Sequence, residues 1–364
     1  MSRKIITLAL QGGGSHGAFT WGVLDRLLED GRIDIEGISG ASAGAMNAAV
    51  LAHGLTAGGR DGARQSLADF WNSVAASAPF SVIPEYLLSP HLSVQADLPP
   101  AYKAMLPLMR FLSPHQLNPF DINPLRDILA RQIDFERLRA ECPVRLFIAT
   151  TQVSTGTLRL FRNRQLTLDV LLASACLPLL HRAVEIDGEA YWDGGLTANP
   201  PLFPLLHKCT ARDIMVVLLH PHPREKTPVT ANDIWQRQAE MGFSSTFFTE
   251  LQGVLLAQRE ARRSWLPLGP LERRLRSLNM HVIESQELMS QLGTHSKLNA
   301  HPSFINLLCD EGRQRAQCWL ERHFEQIGVR SSFNLAQLFG HAPVPAGAAR
   351  AAAPCRSSSS AARR

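Results

Sequence analysis

An α/β fold is the architecture this sequence predicts, and three observations predict it. Ile5-Ile6-Thr7-Leu8-Ala9-Leu10 is a short, almost wholly apolar run of the kind that forms a buried central strand, and a glycine-rich loop and a helix follow it. Ile33 to Ile38 alternates apolar and polar residues, then passes through Gly40-Ala41-Ser42-Ala43-Gly44 into the alanine-rich helix Ala45 to Ala52. Asp213 to Leu219 is a further buried strand late in the chain. Strands alternating with helices in this way build a sheet with helices packed on it.

The first loop is Gln11-Gly12-Gly13-Gly14-Ser15-His16-Gly17, and the helix after it, Ala18 to Asp30, places Phe19, Val23, Leu24, Leu27 and Leu28 on one face. Backbone N–H groups converge at such a loop and helix start, so it suits an anion. One reading is a phosphate, but the Gly-Lys-Ser/Thr ending of a P-loop is missing. The favoured reading is an oxyanion hole, because the next strand delivers a nucleophile.

That nucleophile is Ser42. Strand, G-x-S-x-G and helix is the pattern that lifts a serine hydroxyl clear of a sheet on a sharp turn. Gly40 and Gly44 leave room for the bend, and the helix behind it points free N–H groups at the reaction centre.

An amphipathic helix is expected over residues 61–77, with Leu67, Phe70, Trp71 and Val74 apolar. From Ala78 to Pro119 prolines recur, and Ala101 to Leu112 is rich in Met and Leu. A segment packed on the core is the favoured reading there; a cap in contact with acyl chains is the other. A short helix starts at Asn123 with Pro124 in its first turn, strands are expected at Val144–Thr151 and Leu158–Phe161, and a helix at Leu168–Ala175. Ala183 to Trp192 reads as a hairpin around Asp187-Gly188. It runs into Asp193-Gly194-Gly195. Such a sequence makes a turn, and it can also hold a carboxylate at a strand end where it takes the proton of Ser42.

Beyond Asp213–Leu219 comes His220-Pro221-His222. Loop histidines are the simpler reading, and without a carboxylate or cysteine partner in sequence no metal site is expected. Residues 231–264 read as mostly helical. The arginines around Trp265 suit a solvated face, with anionic lipid headgroups as the weaker alternative, which would make the protein peripheral at a membrane surface. Met280–Ile283 is a candidate last strand and Phe304–Ile327 a last helix, whereas the Ala/Pro/Ser/Arg composition from His341 onward cannot build a core and predicts disorder over 341–364.

Bulk composition narrows the function. The 364 residues are 45% hydrophobic and 19% charged, a globular composition. Four arginines and no acid lie in the tail from His341, so the formal net charge of +5 leaves about +1 on the remainder and argues against nucleic acid. Six cysteines without CxxC spacing read as reduced thiols. Neither a signal-peptide pattern nor a membrane-spanning run is present, so a cytoplasmic enzyme is expected.

In order, Gly12-Gly13-Gly14-Ser15-His16-Gly17, Gly40-Ala41-Ser42-Ala43-Gly44 and Asp193-Gly194-Gly195 resemble the patatin-like phospholipase family. Ser174 to Pro200, opening Ser-Ala-x-Leu-Pro and closing Asp-Gly-Gly-Leu-x-x-Asn-Pro, resembles it too. The resemblance spans residues 5–207, the expected catalytic domain; residues 208–335 then form a mainly helical C-terminal region completing or flanking it. What it implies is a three-layer α/β sandwich with a central, mostly parallel sheet and a Ser–Asp dyad. Ser42 would be the nucleophile, Asp193 the general base, and the Gly12, Gly13 and Gly14 N–H groups the oxyanion hole. No cofactor or metal is implied, and the substrate would be a lipid ester. The family's loop usually carries Arg or Lys where this chain has His16. Three other readings stand beside this one: a Ser–His–Asp triad using His220 or His281, a non-catalytic lipid- or protein-binding module, and nucleotide binding at the glycine loop.

Overall fold

The computed structural model describes residues 3–77, 111–220, 227–265 and 269–333. Most of the Ala78–Pro119 stretch, with the Met-rich run inside it, lies outside the described residues, as do His222 and the tail from His341.

Eight strands are present among the described residues: β1 (Lys4–Leu10), β2 (Ile33–Gly40), β3 (Arg145–Gln152), β4 (Leu158–Arg162), β5 (Val184–Ile186), β6 (Glu189–Asp193), β7 (Asp213–Val217) and β8 (Asn279–Ile283). They form one sheet in the order β5-β6-β3-β2-β1-β7-β8, with β4 also paired to β3. The core β3-β2-β1-β7-β8 is parallel, and β4, β5 and β6 attach antiparallel at one side. The mostly parallel sheet of the sequence reading is therefore present, and β7 and β8, which follow residue 207, extend it beyond β1.

Period-two alternation builds a layer on each face. Met215 and Val217 of β7 join one apolar cluster, with Leu8 and Leu10 of β1 and the helices α1 (Gly17–Asp30) and α2 (Ala43–Ser77). Ile214 and Val216 join the other, under α6 (Phe203–Lys208), α7 (Ala231–Arg263) and α8 (Pro270–Ser277). Between these in sequence lie α3 (Pro124–Gln132), α4 (Phe135–Glu141) and α5 (Leu168–Ser174); after them come α9 (Gln286–Gln291) and α10 (Pro302–His323), whose Phe304, Leu308 and Trp319 complete the first cluster. The two helices expected at Ala45–Ala52 and 61–77 are the halves of α2, which breaks at Gly58 and Gly59, where the backbone leaves helical geometry.

Cys142, Cys176, Cys209 and Cys309 are free thiols. Cys318 is disulfide-bonded, which corrects the expectation of reduced thiols for that residue.

Candidate active site

The glycine loop and Ser42 follow the C-terminal ends of the parallel strands β1 and β2, as expected for an open α/β sheet. Asp193 reaches the same end from the antiparallel β6, opposite Thr150 of β3. β2 ends at Gly40, and Ser42 adopts φ 53°, the left-handed region that a side chain rarely occupies. The Ser42 N–H donates to the Ser174 carbonyl at 3.1 Å and the Ser174 hydroxyl at 3.0 Å, so the end of α5 holds the turn in place. Two residues on, the Cys176 carbonyl accepts the Asp193 N–H at 2.8 Å. One short segment thus positions both Ser42 and Asp193.

Asp193 ends β6 and is fully buried. The Thr151 hydroxyl donates to its carbonyl at 2.8 Å, and the Gly195 N–H donates to its Oδ1 at 2.7 Å. Burial pushes the carboxyl up to about 7, against the Gly195 N–H and the Ser42 hydroxyl, which favour the charged form. The Ser42 side chain favours the charged carboxyl, and Oδ2 is a buried acceptor with no other hydrogen-bond partner among the described residues. A buried carboxyl that titrates near neutrality beside a serine suits a proton acceptor.

The glycine loop closes over this pair. A Cβ on Gly12 would stand 2.7 Å from the Ser42 Cβ and 2.6 Å from the Ala41 carbonyl oxygen, so only glycine lets the loop lie against the turn. The Gly12 N–H itself is taken: it donates to Asn199 Oδ1 at 2.6 Å. No protein acceptor meets the N–H of Gly13, Gly14 or Ala43 among the described residues. Gly14, at φ 59°, has no room for a Cβ because the Lys297 carbonyl abuts it.

Ser15 and His16 form a short 3-10 turn and are buried; Gly17 opens α1. Ser296 gives its hydroxyl proton to the Gly293 carbonyl at 2.6 Å and therefore accepts from His16 Nε2, 2.7 Å away. That assigns the proton to Nε2 and leaves Nδ1 a buried acceptor without a partner. Burial and the nearby Lys297 charge lower the His16 pKa to about 3, so the imidazole is neutral. It carries no fixed charge and points its donor at Ser296.

The alternative histidines are engaged elsewhere. His281, on β8, is fully buried between Asp213 Oδ1 and the Ser332 hydroxyl, both at 2.9 Å. The His220 backbone N–H donates to Gln11 Oε1 at 3.0 Å, and its ring Nε2 lies 2.7 Å from Lys297 Nζ.

The sequence profile of one family, described as patatin-like phospholipase, matches residues 8–206. The chain belongs to the patatin-like phospholipase family. No curated protein matches its sequence. Among solved structures it is similar to the crystal structure of VipD from Legionella pneumophila, at 16% identity and a TM-score of 0.42, over 89% of this chain and 67% of that one.

Within this patatin-like chain, sequence reasoning assigned no role to Ser174, Cys176, Asn199, Gln11, Ser296 or Lys297. Ser174 opens the stretch to Pro200 that resembles the family and Asn199 lies in its closing Asn-Pro, which was the available signal for them. Ser296 and Lys297 lie in a 3-10 turn without a motif, and nothing local marks them.

Proposed function

We propose that the protein is a serine acyl hydrolase that cleaves carboxylic esters of phospholipids or lysophospholipids. The observation that carries this reading is the strained Ser42 turn set against a fully buried Asp193 whose carboxyl titrates near neutrality. Asp193 takes the hydroxyl proton as Ser42 Oγ attacks the ester carbonyl carbon, and the carbonyl π pair moves onto oxygen. The Gly13 and Gly14 N–H groups receive that oxyanion, a role worth about 10²–10³ in rate per donor. Collapse breaks the carbon–oxygen bond to the glycerol side. The departing alkoxide takes the proton from Asp193 and leaves an acyl-enzyme. Water then gives its proton to Asp193, attacks the acyl carbonyl and releases the fatty acid with Ser42 restored. The same residues serve a thioester or an acceptor alcohol in place of water.

Asn199 and Ser174 act as positioning residues for the loop and for the turn. No helix among the described residues is long and apolar enough to cross a membrane.

Hydrolysis of a short-chain p-nitrophenyl ester and of mixed phospholipid vesicles by wild type, Ser42→Ala and Asp193→Asn tests the reading, with circular dichroism as the folding control. Both variants are expected to lose turnover while staying folded. A folded Asp193→Asn protein with near wild-type activity would overturn the dyad and move the base to a histidine.

A further inference from the structure

The hydrogen-bonded set Asp213, His281 and Ser332 has no part in the mechanism above. Asp213 opens β7 beside Ile6 of β1, whereas the glycine loop follows the end of β1, so the set lies toward the other end of the parallel strands from Ser42. Ser332 belongs to the segment after α10 that runs past the edge strand β8, where the Ser331 hydroxyl oxygen accepts the Met280 N–H at 3.0 Å.

The surrounding contacts fix the protons. Asp213 Oδ1 accepts from Asn279 Nδ2 at 3.1 Å and from the Gly328 N–H at 2.8 Å. Burial opposes a charge on Asp213, but the hydrogen bonds from His281, Gly328 and Asn279 outweigh it and hold the carboxyl below its ordinary value. A carboxylate only accepts, so His281 Nε2, 2.9 Å away, carries the ring proton. The Ser332 backbone N–H donates to His281 Nδ1 at 3.3 Å, which makes Nδ1 an acceptor. The Ser332 hydroxyl, 2.9 Å from the same nitrogen, therefore donates to it as well. A serine within hydrogen-bond reach of a base, with the base oriented by a third group, is the arrangement that activates a hydroxyl. Trp319 meets the His281 ring edge-on at 5.4 Å, and its Nε1–H donates to Ser332 Oγ at 3.3 Å, where it steadies developing negative charge. The N–H of Phe333, next after the serine, meets no protein acceptor among the described residues, and acyl hydrolases draw an oxyanion donor from that position. His281 is fully buried, whereas Ser332 is only half-buried.

We propose that Ser332 is a second nucleophilic serine, which takes the acyl group of activated donors such as aryl esters and acyl phosphates. Ser332 Oγ forms the bond to the acyl carbon, its proton passes to His281 Nδ1, and the leaving group departs with its bonding pair as an anion. The imidazolium is then paired with Asp213. Because His281 is buried behind Ser332, the acylated serine blocks water from Nδ1, and the reaction stops after one acyl group. Alkyl esters, whose alkoxide needs a proton to leave, are not donors to this site, and its reactivity is independent of Ser42.

The test uses the full chain carrying Ser42→Ala, with circular dichroism as the folding control. A small alkyl fluorophosphonate is expected to label the tryptic peptide that begins at Ser331, and Ser332→Ala in the same background should abolish that label. p-Nitrophenyl acetate should acetylate the same residue, with one nitrophenolate released per chain and no turnover. His281→Gln should slow labelling at least about 100-fold, the lower end of what a positioned base contributes. The Ser42→Ala chain unfolded in urea, where Ser332 is exposed but has lost its base, should label equally slowly and makes the test independent of whether His281→Gln folds. Failure of either reagent to modify Ser332 in folded protein overturns the proposal. So does labelling that is as fast in urea or in folded His281→Gln, and so does continued turnover that Ser332→Ala removes.

Discussion

The Asn199 carboxamide grips Gly12 from two sides: Oδ1 accepts the Gly12 N–H at 2.6 Å, and Nδ2 donates to the Gly12 carbonyl at 3.3 Å. The same Nδ2 reaches the Phe243 carbonyl at 3.0 Å. A residue just after the Asp193 turn thus holds the loop from the other motif end and ties both to α7. Gln11 adds to the latch, donating through Nε2 to the Asn199 carbonyl at 3.3 Å while its Oε1 accepts the Leu219 N–H at 2.7 Å.

Asn199→Ala should therefore lower kcat with a smaller effect on KM. Misplacing catalytic groups by about 1 Å costs on the order of 10²-fold, and a loop with one side of its latch removed should lose roughly 10- to 100-fold. Asn199→Asp is the informative companion. Its carboxylate still accepts from Gly12 but cannot donate to either carbonyl, so it should recover only part of the rate. Steady-state kinetics on a soluble ester decides this, and an Asn199→Ala protein with unchanged kcat would remove Asn199 from the positioning role.

As the proposed general base, Asp193 should set the pH dependence of activity. Its carboxyl, raised to about 7 by burial, must be ionised to accept the Ser42 proton. Activity measured as kcat/KM should rise about tenfold per pH unit below 7 and level off above it. The rising limb should vanish from any residual activity of Asp193→Asn. A wild-type profile flat from pH 5 to 8 would show that this carboxylate is not the base.

Stability responds in the opposite sense. A carboxyl whose folded pKa lies above its unfolded value binds more protons when folded, so it costs stability as pH rises from about 4 through 7. Asp193→Asn removes that cost. Its melting temperature should exceed wild type by a margin that grows between pH 4 and 7.5 and then stays level. The gain is a few kcal/mol at most, at about 1.4 kcal/mol per factor of ten in proton affinity. Thermal melts across that range would show it, and a margin that shrinks with rising pH would contradict the assignment.

The parts of the site that were legible in the sequence are those encoded in contiguous stretches. The Ser42 turn, the glycine loop and Asp193-Gly194-Gly195 each announce themselves through residues that only a tight turn needs. The strands followed from runs such as Ile5–Leu10, and their mostly parallel order from the resemblance. What escaped were contacts between distant stretches: Ser174 on Ser42, Asn199 on Gly12, and Lys297 on Gly14 are fixed by the packing of whole elements, and no local pattern records them. Short helices such as Phe135–Glu141 and Gln286–Gln291 span too few turns for periodicity to reveal.

His16 provides the last prediction, because the family usually has a cation there. In this chain the position is 3% exposed, and the Lys297 charge next to it opposes a second one. Restoring the common residue with His16→Arg should destabilise the fold by several kcal/mol, the range expected for an uncompensated buried charge. Adding Lys297→Met should recover part of that loss by removing the like charge. The native imidazole leaves its own mark on the pH curve. Its folded pKa of about 3 lies below the unfolded value of 6.5, so the unfolded chain binds the extra proton and stability falls as pH drops through that interval. This slope opposes that of Asp193, and the two partly cancel in the wild type between about pH 4 and 6.5. His16→Gln, which can still donate to Ser296, removes only the histidine slope. It should gain on wild type by about 2 kcal/mol between pH 7.5 and pH 5, at about 1.4 kcal/mol per factor of ten. Chemical denaturation at the two pH values measures the difference, and a variant that tracks wild type at both would mean that His16 is protonated in the folded protein and that its neighbours accommodate the charge.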